Sequence, residues 1–422
     1  MRICDVNNFY SPTGGGVRTY HERKLDFFAA SAERDDAYAL VVPSDRSAIT
    51  RRGAAMIVEL PAREVGSAGY RAITHGRDLS RFFADFAPDI VEIGSPYLMP
   101  WLVRRALPRP TATVGFVHAD YPDTYVEPAL REAFSGLLRP LAGPAARLAS
   151  HHMARTYGWM SATFGASAHV LGKLRGLGLR RLFHTPCGVE AREFSATQRD
   201  PERRRQLGVA DDERLLLFLG RLSGEKGIDL LLDAWPRLAG RPGLRLVIAG
   251  HGPREAEVAA LVARDPSVIR LARVEGRREV AAWMASADLF LALGAFETFS
   301  LTTLEALACG TSVLAPDSGG AAELINNFGA GSTFARDDPA ALAAALVDAP
   351  PLRPPQAARL RARIESDYTW PAACARIRDA YEKVLQAHQS GALDRLEAPE
   401  GWWPAQMSPS SAANDPKFGT LV

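Results

Sequence analysis

The sequence predicts an α/β protein made of two doubly wound domains, and three observations lead to this fold class. The chain has 422 residues, and one hydrophobic core rarely serves more than about 250–300 residues, so two domains are expected. Short apolar runs alternate with amphipathic stretches, which is typical of parallel strands covered by helices on both faces. The alternation pauses near residue 190 and then starts again, which places a domain boundary there.

The first domain is predicted over residues 1–186. Its strands are expected at the short apolar runs 2–6, 38–42, 56–60, 90–93, 113–117, 162–166 and 182–184. Amphipathic stretches such as 19–30 and 76–86 predict helices between these strands. The turn at 186–190 and the arginine-rich stretch that follows it to residue 205 are interpreted as the linker region.

The second domain is predicted over residues 187–366 and repeats the same pattern. Its strands are expected at 215–219, 244–249, 268–271, 289–293 and 312–315. Its helices are expected at 228–238, 254–263 and 279–286, with another that Ser300 or Thr302 can cap.

Two segments follow the second domain. Residues 367–390 contain a predicted helix at 371–388 that is expected to cross back to the first domain. Residues 391–422 are rich in Pro, Ser and Ala and predict a partly disordered tail, with Trp402 and Trp403 packed on the protein's own surface.

Composition excludes several classes of protein. Apolar residues make up 47% and charged residues 23%, which are values of a globular protein, and a net charge of +2 predicts no nucleic-acid partner. No apolar segment approaches the roughly 20 residues of a membrane span, and no signal peptide is recognised, so a cytoplasmic location is expected. Nearly all basic residues are arginines, so a lysine inside a motif is informative; the lysines are Lys24, Lys173, Lys226, Lys383 and Lys417.

Two glutamates eight residues apart are the centre of the predicted site. Glu297 lies in the loop after the strand at 289–293, and Glu305 lies in the first turns of the next helix. Amides at the start of that helix can receive an anion. Such a pair taken alone is typical of surface charges, but beside an anion-binding helix start it suits a ligand with hydroxyls and phosphate, such as a sugar nucleotide.

Other predicted strand ends of the second domain carry residues suited to phosphate binding. Arg221 and Lys226 follow the strand at 215–219, and both can converge on a diphosphate, although a solvated turn is the plain alternative. Gly252 lies in a turn that allows close backbone approach, and the segment ending at Val274 could present backbone groups to a base.

The first domain carries two weaker signals. The glycines that include Gly15 and Gly16 open a helix and could admit a phosphate, although a flexible turn is the ordinary interpretation. His118 follows the strand at 113–117, where a single histidine is more often a structural residue than a catalytic one.

Taken together, these motifs resemble the family-4 retaining glycosyltransferases of GT-B fold, in which two Rossmann-like domains face each other across a cleft. The resemblance covers about residues 1–386 and is greatest to bacterial GDP-mannose-dependent α-mannosyltransferases. It implies that Arg221 and Lys226 hold the donor diphosphate, and that Glu297 contacts the hydroxyls of the donor sugar. The remaining implied donor contacts are Glu305 to the ribose, Phe299, Ser300 and Leu301 to the distal phosphate, Gly15 and Gly16 at the border of the donor, and His118 beside the transferred sugar.

The expected chemistry needs neither a metal nor a cofactor other than the nucleotide sugar. No Asp-x-Asp motif occurs to hold a metal beside the diphosphate, so Arg221 and Lys226 are expected to stabilise the leaving group. The resemblance implies that the acceptor hydroxyl attacks on the leaving-group face, with the departing phosphate taking its proton.

The acceptor is expected to be a glycolipid or a surface glycan, bound by the first domain through Tyr10, Arg18 and His21. A weak peripheral contact with the inner face of the plasma membrane is a minority hypothesis, because Pro140 and Pro144 interrupt the arginine-bearing stretch. The arginines concerned are Arg131, Arg139, Arg147 and Arg155.

Three alternatives to a GDP-mannose-dependent transferase stay open. A UDP-sugar-dependent glucosyl- or galactosyltransferase of the same family would carry the same motifs. A non-catalytic subunit that binds a sugar nucleotide would not need Glu297, Glu305, Arg221 and Lys226 together. A pyridoxal-dependent phosphorylase would need a Schiff-base lysine, and Lys226 alone is available in the second domain.

Overall fold

The structure is a computed structural model that describes residues 1–10, 15–30, 35–65, 70–126, 130, 142–271 and 274–397. The chain divides into two compact units. Unit 1 comprises Met1–Cys187 and the segment that begins at Ala373, and unit 2 is the contiguous stretch Gly188–Ala372. The helix predicted at 371–388 therefore returns to unit 1, as the sequence had indicated.

Unit 1 is built on a mostly parallel eight-stranded sheet with the strand order β10-β9-β8-β7-β1-β2-β4-β3. The strands are β1 Arg2–Val6, β2 Ala37–Ser44, β3 Ala48–Arg52, β4 Ala55–Pro61, β7 Ile90–Ile93, β8 Ala112–Val117, β9 Ala162–Gly165 and β10 Leu182–His184. Strands β5 Arg63–Val65 and β6 Tyr70–Ala72 form a separate antiparallel pair. All residues of β7, β8 and β9 are buried, because helices cover both faces of a parallel sheet.

The helices of unit 1 pack their apolar sides on this sheet. They are α1 Gly16–Ala29, α2 Arg77–Phe86, α3 Met99–Ala106, α4 Ala142–Gly158, α5 Ala168–Gly176 and, after unit 2 in the chain, α14 Trp370–Gln389. Leu79 and Phe83 of α2, Val103 of α3 and Leu171 of α5 belong to one buried core. The side chain of Ser167 accepts a hydrogen bond from the backbone nitrogen of Val170, which caps the start of α5.

Unit 2 contains a six-stranded parallel sheet with the order β13-β12-β11-β14-β15-β16, the doubly wound arrangement 3-2-1-4-5-6. Its strands are β11 Arg214–Leu219, β12 Leu244–Ala249, β13 Val268–Leu271, β14 Leu289–Leu291, β15 Ser312–Pro316 and β16 Gly331–Phe334. Its helices are α6 Pro201–Gln206, α7 Ile228–Ala234, α8 Glu255–Arg264, α9 Arg277–Ser286, α10 Leu301–Ala308, α11 Gly319–Phe328, α12 Pro339–Asp348 and α13 Pro354–Asp367. The α/β fold class predicted from the sequence is confirmed.

Helix α14, Trp370–Gln389, is bound to unit 1 by polar contacts as well as by packing. Arg378 donates a hydrogen bond to Asp36 at 2.6 Å, and the Tyr381 hydroxyl group lies 2.6 Å from Nζ of the buried Lys24. The rings of Tyr381 and Phe164 lie 5.6 Å apart. Within the described residues, no helix is long and apolar enough to cross a membrane.

Several elements differ from the sequence-based expectations. Strand β3 pairs with β4 in antiparallel fashion, and the pair β5–β6 and strand β16 were not expected. Two of these strands are largely exposed, so they lack the apolar pattern on which the predictions rest. Residues 391–397 of the predicted tail are described and contain a short 3-10 helix at Leu393–Arg395, whereas residues 398–422, with Trp402 and Trp403, lie outside the described residues.

Candidate active site

Four loops converge at the carboxyl ends of neighbouring strands in unit 2. The strand order places β12, β11, β14 and β15 side by side, so the loops that follow them lie at one edge of the sheet. Hydrogen bonds link the loops in pairs: the backbone nitrogen of Leu222 donates to the carbonyl of His251 at 2.9 Å, and that of Gly320 donates to the carbonyl of Glu297 at 2.7 Å. The hydrogen bond between Lys226 and Glu297 joins the two pairs, so the four loops form one connected surface.

Two glycines permit this close approach of backbones. A Cβ at Gly252 would lie 2.7 Å from the backbone nitrogen of Leu222, and a Cβ at Gly320 would lie 2.6 Å from the backbone nitrogen of Phe299. Any larger residue would push the loops apart, since real Cβ atoms do not approach backbone so closely. Gly252, predicted from its turn motif, thus has a physical role in the shape of this surface.

Lys226 and Glu297 meet on this surface. Nζ of Lys226 donates a hydrogen bond to Oε1 of Glu297, and both side chains stay partly exposed. Arg221 lies on the same loop as Lys226; its side chain is exposed and makes no hydrogen bond or ion pair with any described residue. The surface thus presents one unpaired guanidinium beside a paired ammonium and carboxylate.

The start of α10 is unusual. Ser300 has φ 68° and ψ 79°, a left-handed conformation that a non-glycine residue rarely adopts and that occurs at functional sites. Ser300, one of the two predicted caps, occupies the N-cap position, and the helix begins at Leu301. Its side chain makes no capping hydrogen bond, however, and the Ser300 hydroxyl group instead lies 2.9 Å from that of Thr303. No side chain therefore caps the first amides of the helix.

Glu305 lies one turn further along α10, in surroundings that disfavour its charge. Burial raises the pKa of Glu305 to about 7, the positive charge of Arg277 opposes this rise, and the negative charge of Glu193 adds to it. Arg277 and Glu193 form an ion pair of 2.5 Å. This pair was not predicted, because its members lie 84 residues apart with no motif around either.

The other predicted donor contacts lie around the same edge. Phe299 is buried and Leu301 is partly buried at the start of α10. Val274 is partly exposed and follows β13, while its neighbours 272 and 273 lie outside the described residues. The donor-binding roles of these residues stay predictions.

In unit 1, Gly15 and Gly16 are exposed at the start of α1, where a Cβ at Gly15 would meet no atom within 4 Å. His118 follows β8 and stacks on Phe116 with ring centroids 4.5 Å apart. Withdrawal from water, together with the positive charges of His21 and Lys24, holds the pKa of His118 well below its ordinary value. The ring of His118 is therefore neutral at physiological pH.

The three predicted acceptor-binding residues separate into two environments. Tyr10 and Arg18 are partly exposed and share Glu22: Nε of Arg18 donates to Oε1 of Glu22 at 2.7 Å, and the hydroxyl of Tyr10 lies 3.5 Å from the same oxygen. His21, in contrast, is 1% exposed, with Nε2 at 2.6 Å from Asn7 and Nδ1 at 3.2 Å from Asp5. Direct acceptor contact by His21 stays a prediction, and its burial argues against it.

A buried polar cluster beneath α1 was not predicted. Nζ of Lys24 contacts Oδ2 of Asp5 at 2.6 Å, Oε1 of Glu92 at 3.1 Å and the hydroxyl of Tyr381 at 2.6 Å. Burial and the charge of Asp5 raise the pKa of Glu92 to about 7, although Lys24 opposes this. His21 lies between this cluster and His118, because its ring contacts Asp5 and the ring centroids of His21 and His118 lie 5.4 Å apart. The rarity of lysine in this chain was the one signal that pointed to Lys24.

Among the residues that the structure describes, no three His, Cys, Asp or Glu side chains are grouped as metal ligands would be. The metal-independent reaction expected from the sequence stays a prediction.

Comparison with known proteins assigns the family. Residues 213–349 match the family described as glycosyl transferases group 1. Over 385 residues the chain is 31% identical to a GDP-mannose-dependent alpha-(1-6)-phosphatidylinositol dimannoside mannosyltransferase of Mycobacterium tuberculosis, strain H37Ra, with 89% of this chain and 94% of the relative covered. The chain belongs to the group 1 glycosyltransferases. The family resemblance seen in the motifs is confirmed, and this glycosyltransferase takes its sugar from a nucleotide sugar.

Solved structures agree with the fold of this glycosyltransferase. Sucrose-phosphate synthase from Thermosynechococcus elongatus matches 92% of this chain and 100% of its own with a TM-score of 0.69 at 17% identity. An alpha,alpha-trehalose-phosphate synthase from Burkholderia xenovorans matches the same shares with a TM-score of 0.66 at 13% identity. At such identities the likeness concerns the fold alone, and that fold is GT-B.

Proposed function

We propose that this glycosyltransferase is a retaining, metal-independent mannosyltransferase that moves mannose from GDP-mannose to a glycolipid or surface-glycan acceptor. The observation that carries the proposal is the 31% identity over 385 residues to a relative whose name specifies GDP-mannose and a phosphatidylinositol dimannoside. An alignment that covers 94% of that relative includes the acceptor-binding half as well as the donor-binding half.

Arg221 and Lys226 hold the donor diphosphate in this proposal. Arg221 is exposed with no side-chain partner among the described residues, so its planar fork is available for two phosphate oxygens. Charge-assisted hydrogen bonds contribute about 1.5–3 kcal/mol each, whereas a helix start contributes about 0.3–2 kcal/mol. The two cations therefore dominate leaving-group stabilisation, and the amides around Phe299, Ser300 and Leu301 assist.

Glu297 and Glu305 hold the two sugars of the donor. Glu305 accepts hydrogen bonds from the ribose, and Glu297 accepts them from the transferred sugar. The contact of Glu297 with Lys226 supports these roles, because the sugar and the diphosphate of the donor are bonded to each other and the groups assigned to them must also be neighbours.

In the transfer step, the acceptor hydroxyl oxygen forms a bond to the anomeric carbon while the bond from that carbon to the diphosphate oxygen breaks. The departing phosphate accepts the proton of the hydroxyl, so GDP leaves on the face at which the acceptor enters and the configuration is retained. Neutral His118 serves as a hydrogen-bond partner for the transferred sugar, at the border that Gly15 and Gly16 form.

The acceptor is bound by unit 1 in this proposal. The side chains of Tyr10 and Arg18 both contact the carboxylate of Glu22, near the glycines 15 and 16 at the start of α1. One surface thus offers a phenol, a guanidinium and a carboxylate to acceptor hydroxyls. The buried His21 has an indirect role, because it orients the side chain of Asn7. The side-chain oxygen of Asn7 accepts a hydrogen bond from the backbone nitrogen of Phe9 at 2.7 Å.

A weak contact with an anionic membrane surface accompanies this function. Arg147 and Arg155 are exposed on α4, and Leu148 between them is 72% exposed, while Arg131 and Arg139 lie outside the described residues. Each arginine near such a surface contributes about 1 kcal/mol. Cosedimentation with phosphatidylinositol-containing vesicles at low salt should fall in Arg147→Gln; no sedimentation of the unmodified protein would contradict the contact.

Two measurements test the donor and the reaction. A thermal-shift panel of GDP, UDP and ADP sugars should give the largest shift with GDP-mannose, and a larger shift with a UDP sugar would favour the UDP-dependent alternative. Incubation of GDP-mannose with a crude lipid extract should yield an α-mannoside. Binding without turnover would instead favour a non-catalytic subunit.

A further inference from the structure

A cavity of about 390 Å³ lies in unit 1 beside α4 and the turn before β10. Its lining carries basic side chains at several positions and apolar side chains such as Leu177 and Leu179 between them. No Asp or Glu occurs among its described lining residues. The basic lining residues are His151, Arg155, Arg180 and Arg181.

The cavity lies away from the site that contains His118. It is lined by Ala162, the first residue of β9, and by the residues that immediately precede β10, so it opens at the amino ends of these strands. Gly165, the last residue of β9, pairs with Val117, after which the chain reaches His118. His118 and the cavity are thus at opposite edges of the sheet, separated by roughly 10 Å of strand.

The positive charges around the cavity are poorly neutralised. Nη2 of Arg181 donates to the carbonyl oxygens of Gly158 at 3.1 Å and Met160 at 3.0 Å, which fixes its guanidinium. The carboxylate nearest to Arg181, that of Asp394 at 3.7 Å, is fully exposed and contributes little in water. Arg155 and Arg180 make no side-chain hydrogen bond or ion pair with any described residue. Three like charges around one cavity repel each other, and an anion would relieve this repulsion.

We propose that this cavity binds a phosphate ester at a site separate from the donor site. Guanidinium groups bind phosphate oxygens in pairs, and the apolar wall fits the neutral part of an ester better than inorganic phosphate. The volume lies within the range of about 300–1,000 Å³ that is usual for small-ligand sites. The ester is either a soluble metabolite or the headgroup of a lipid, since both carry the same phosphate chemistry.

Calorimetry with glycerol phosphate, in the presence of saturating GDP, tests the site directly. Because saturating GDP blocks the donor site, glycerol phosphate that still binds is expected to occupy the cavity. Arg155→Gln and Arg180→Gln should each weaken binding by at least about tenfold, because each removes a charge-assisted hydrogen bond. The matched control is Arg105→Gln, an exposed arginine of the same unit that does not line the cavity, and it should leave binding unchanged.

A second arm separates the two sources of the phosphate. Cosedimentation with phosphatidylinositol-containing vesicles that is lost in Arg180→Gln would assign the site to a lipid headgroup. Calorimetric binding combined with cosedimentation that is absent, or that Arg180→Gln leaves unchanged, would assign it to a soluble ester, because Arg147 outside the cavity can also hold the protein on vesicles. The proposal is overturned if neither probe binds, if GDP abolishes binding, or if Arg105→Gln weakens binding as much as Arg180→Gln does. These readouts do not depend on turnover or on which sugar is transferred, and if the thermal-shift panel favours a UDP sugar, saturating UDP replaces GDP as the blocker of the donor site.

Discussion

Lys226 donates a hydrogen bond to Glu297, so the side chains assigned to the diphosphate and to the transferred sugar are in direct contact. A partly exposed ion pair contributes only about 0.2–1 kcal/mol, whereas a charge-assisted hydrogen bond to phosphate contributes about 1.5–3 kcal/mol. A bound donor is therefore expected to replace the ion pair with contacts of its own, at little cost. The pair keeps both side chains close to the positions that the donor requires.

Glu297→Ala should lower kcat more than it raises KM for the donor. A carboxylate near the developing positive charge of the sugar interacts more strongly with the transition state than with the ground state. Loss of such a group reduces the rate by roughly 10²–10³, by analogy with removal of one oxyanion-hole donor. Steady-state kinetics with one nucleotide sugar measure this effect. Glu297→Gln keeps the shape of the side chain without its charge, so its kcat should lie between those of the unmodified enzyme and Glu297→Ala. Full kcat in Glu297→Ala would show that the role is wrong.

Glu305→Ala should mainly raise KM for the donor. The ribose does not change during the reaction, so its binding energy is shared by the ground and transition states. Since the pKa of Glu305 is raised to about 7, the carboxylate becomes protonated as the pH falls below 7 and accepts hydrogen bonds less well. Donor KM of the unmodified enzyme should therefore be higher at pH 6 than at pH 8, and Glu305→Ala should lack this difference. A variant that lost kcat with an unchanged KM would contradict ribose binding.

Transfer should persist in EDTA, because the fixed charges of Arg221 and Lys226 stabilise the leaving diphosphate. Product formation with and without chelator measures this. Arg221→Ala serves as the comparison: it should lower kcat at any concentration of divalent metal. Complete loss of activity in EDTA that Mg²⁺ or Mn²⁺ restores would show that a metal, and not these side chains alone, carries the diphosphate.

Gly320→Ala should weaken binding of GDP. The added methyl group would lie 2.6 Å from the backbone nitrogen of Phe299, so the start of α10 must shift, at a cost of roughly 1–3 kcal/mol. The dissociation constant of GDP, measured by calorimetry, should rise by about tenfold for each 1.4 kcal/mol of nucleotide contact that this shift removes. Gly176→Ala is the control, because a Cβ there meets no atom within 4 Å. An unchanged dissociation constant would mean that this helix start does not contact the nucleotide.

Lys24→Met should destabilise the protein by about 3–5 kcal/mol, because it leaves the carboxylates of Asp5 and Glu92 buried without their shared cation. Thermal unfolding followed by circular dichroism should show the loss. Arg52→Met removes an exposed arginine whose nearest carboxylate lies 3.7 Å away, and its effect should stay below about 1 kcal/mol. Adding Glu92→Gln to Lys24→Met should restore part of the stability. Equal effects of Lys24→Met and Arg52→Met would contradict the role of the cluster.

Local patterns made most of the fold predictable. Apolar runs marked the central strands because buried parallel strands are apolar on both faces. The turn motif at Gly252 marked one of the loops, where two backbones meet. The same patterns predicted that Lys226 and Glu297 each follow a strand of the second domain. The distance between them along the chain could not predict that their side chains form a hydrogen bond.

The remaining features depend on contacts between distant parts of the chain. The sequence predicted His21 as an acceptor-binding residue, but the turn of α1 that carries it faces Asp5 and Asn7. The ion pair of Glu193 and Arg277 joins residues 84 positions apart with no motif around either. Ser300, with its left-handed conformation, directly follows Phe299, on whose backbone Gly320 packs. Such features arise from contacts between distant residues, so no periodic pattern or motif in the sequence predicts them.

The contact between Lys24 and Tyr381 also has a consequence for biosynthesis, because the two residues are 357 positions apart. Lys24 therefore leaves the ribosome long before Tyr381 does. Unit 2, which is one contiguous stretch, can therefore complete its core while unit 1 still lacks its last helix. We therefore expect unit 1 to complete its folding after unit 2. Until α14 emerges and packs on unit 1, Lys24, Asp5 and Glu92 should stay in contact with water.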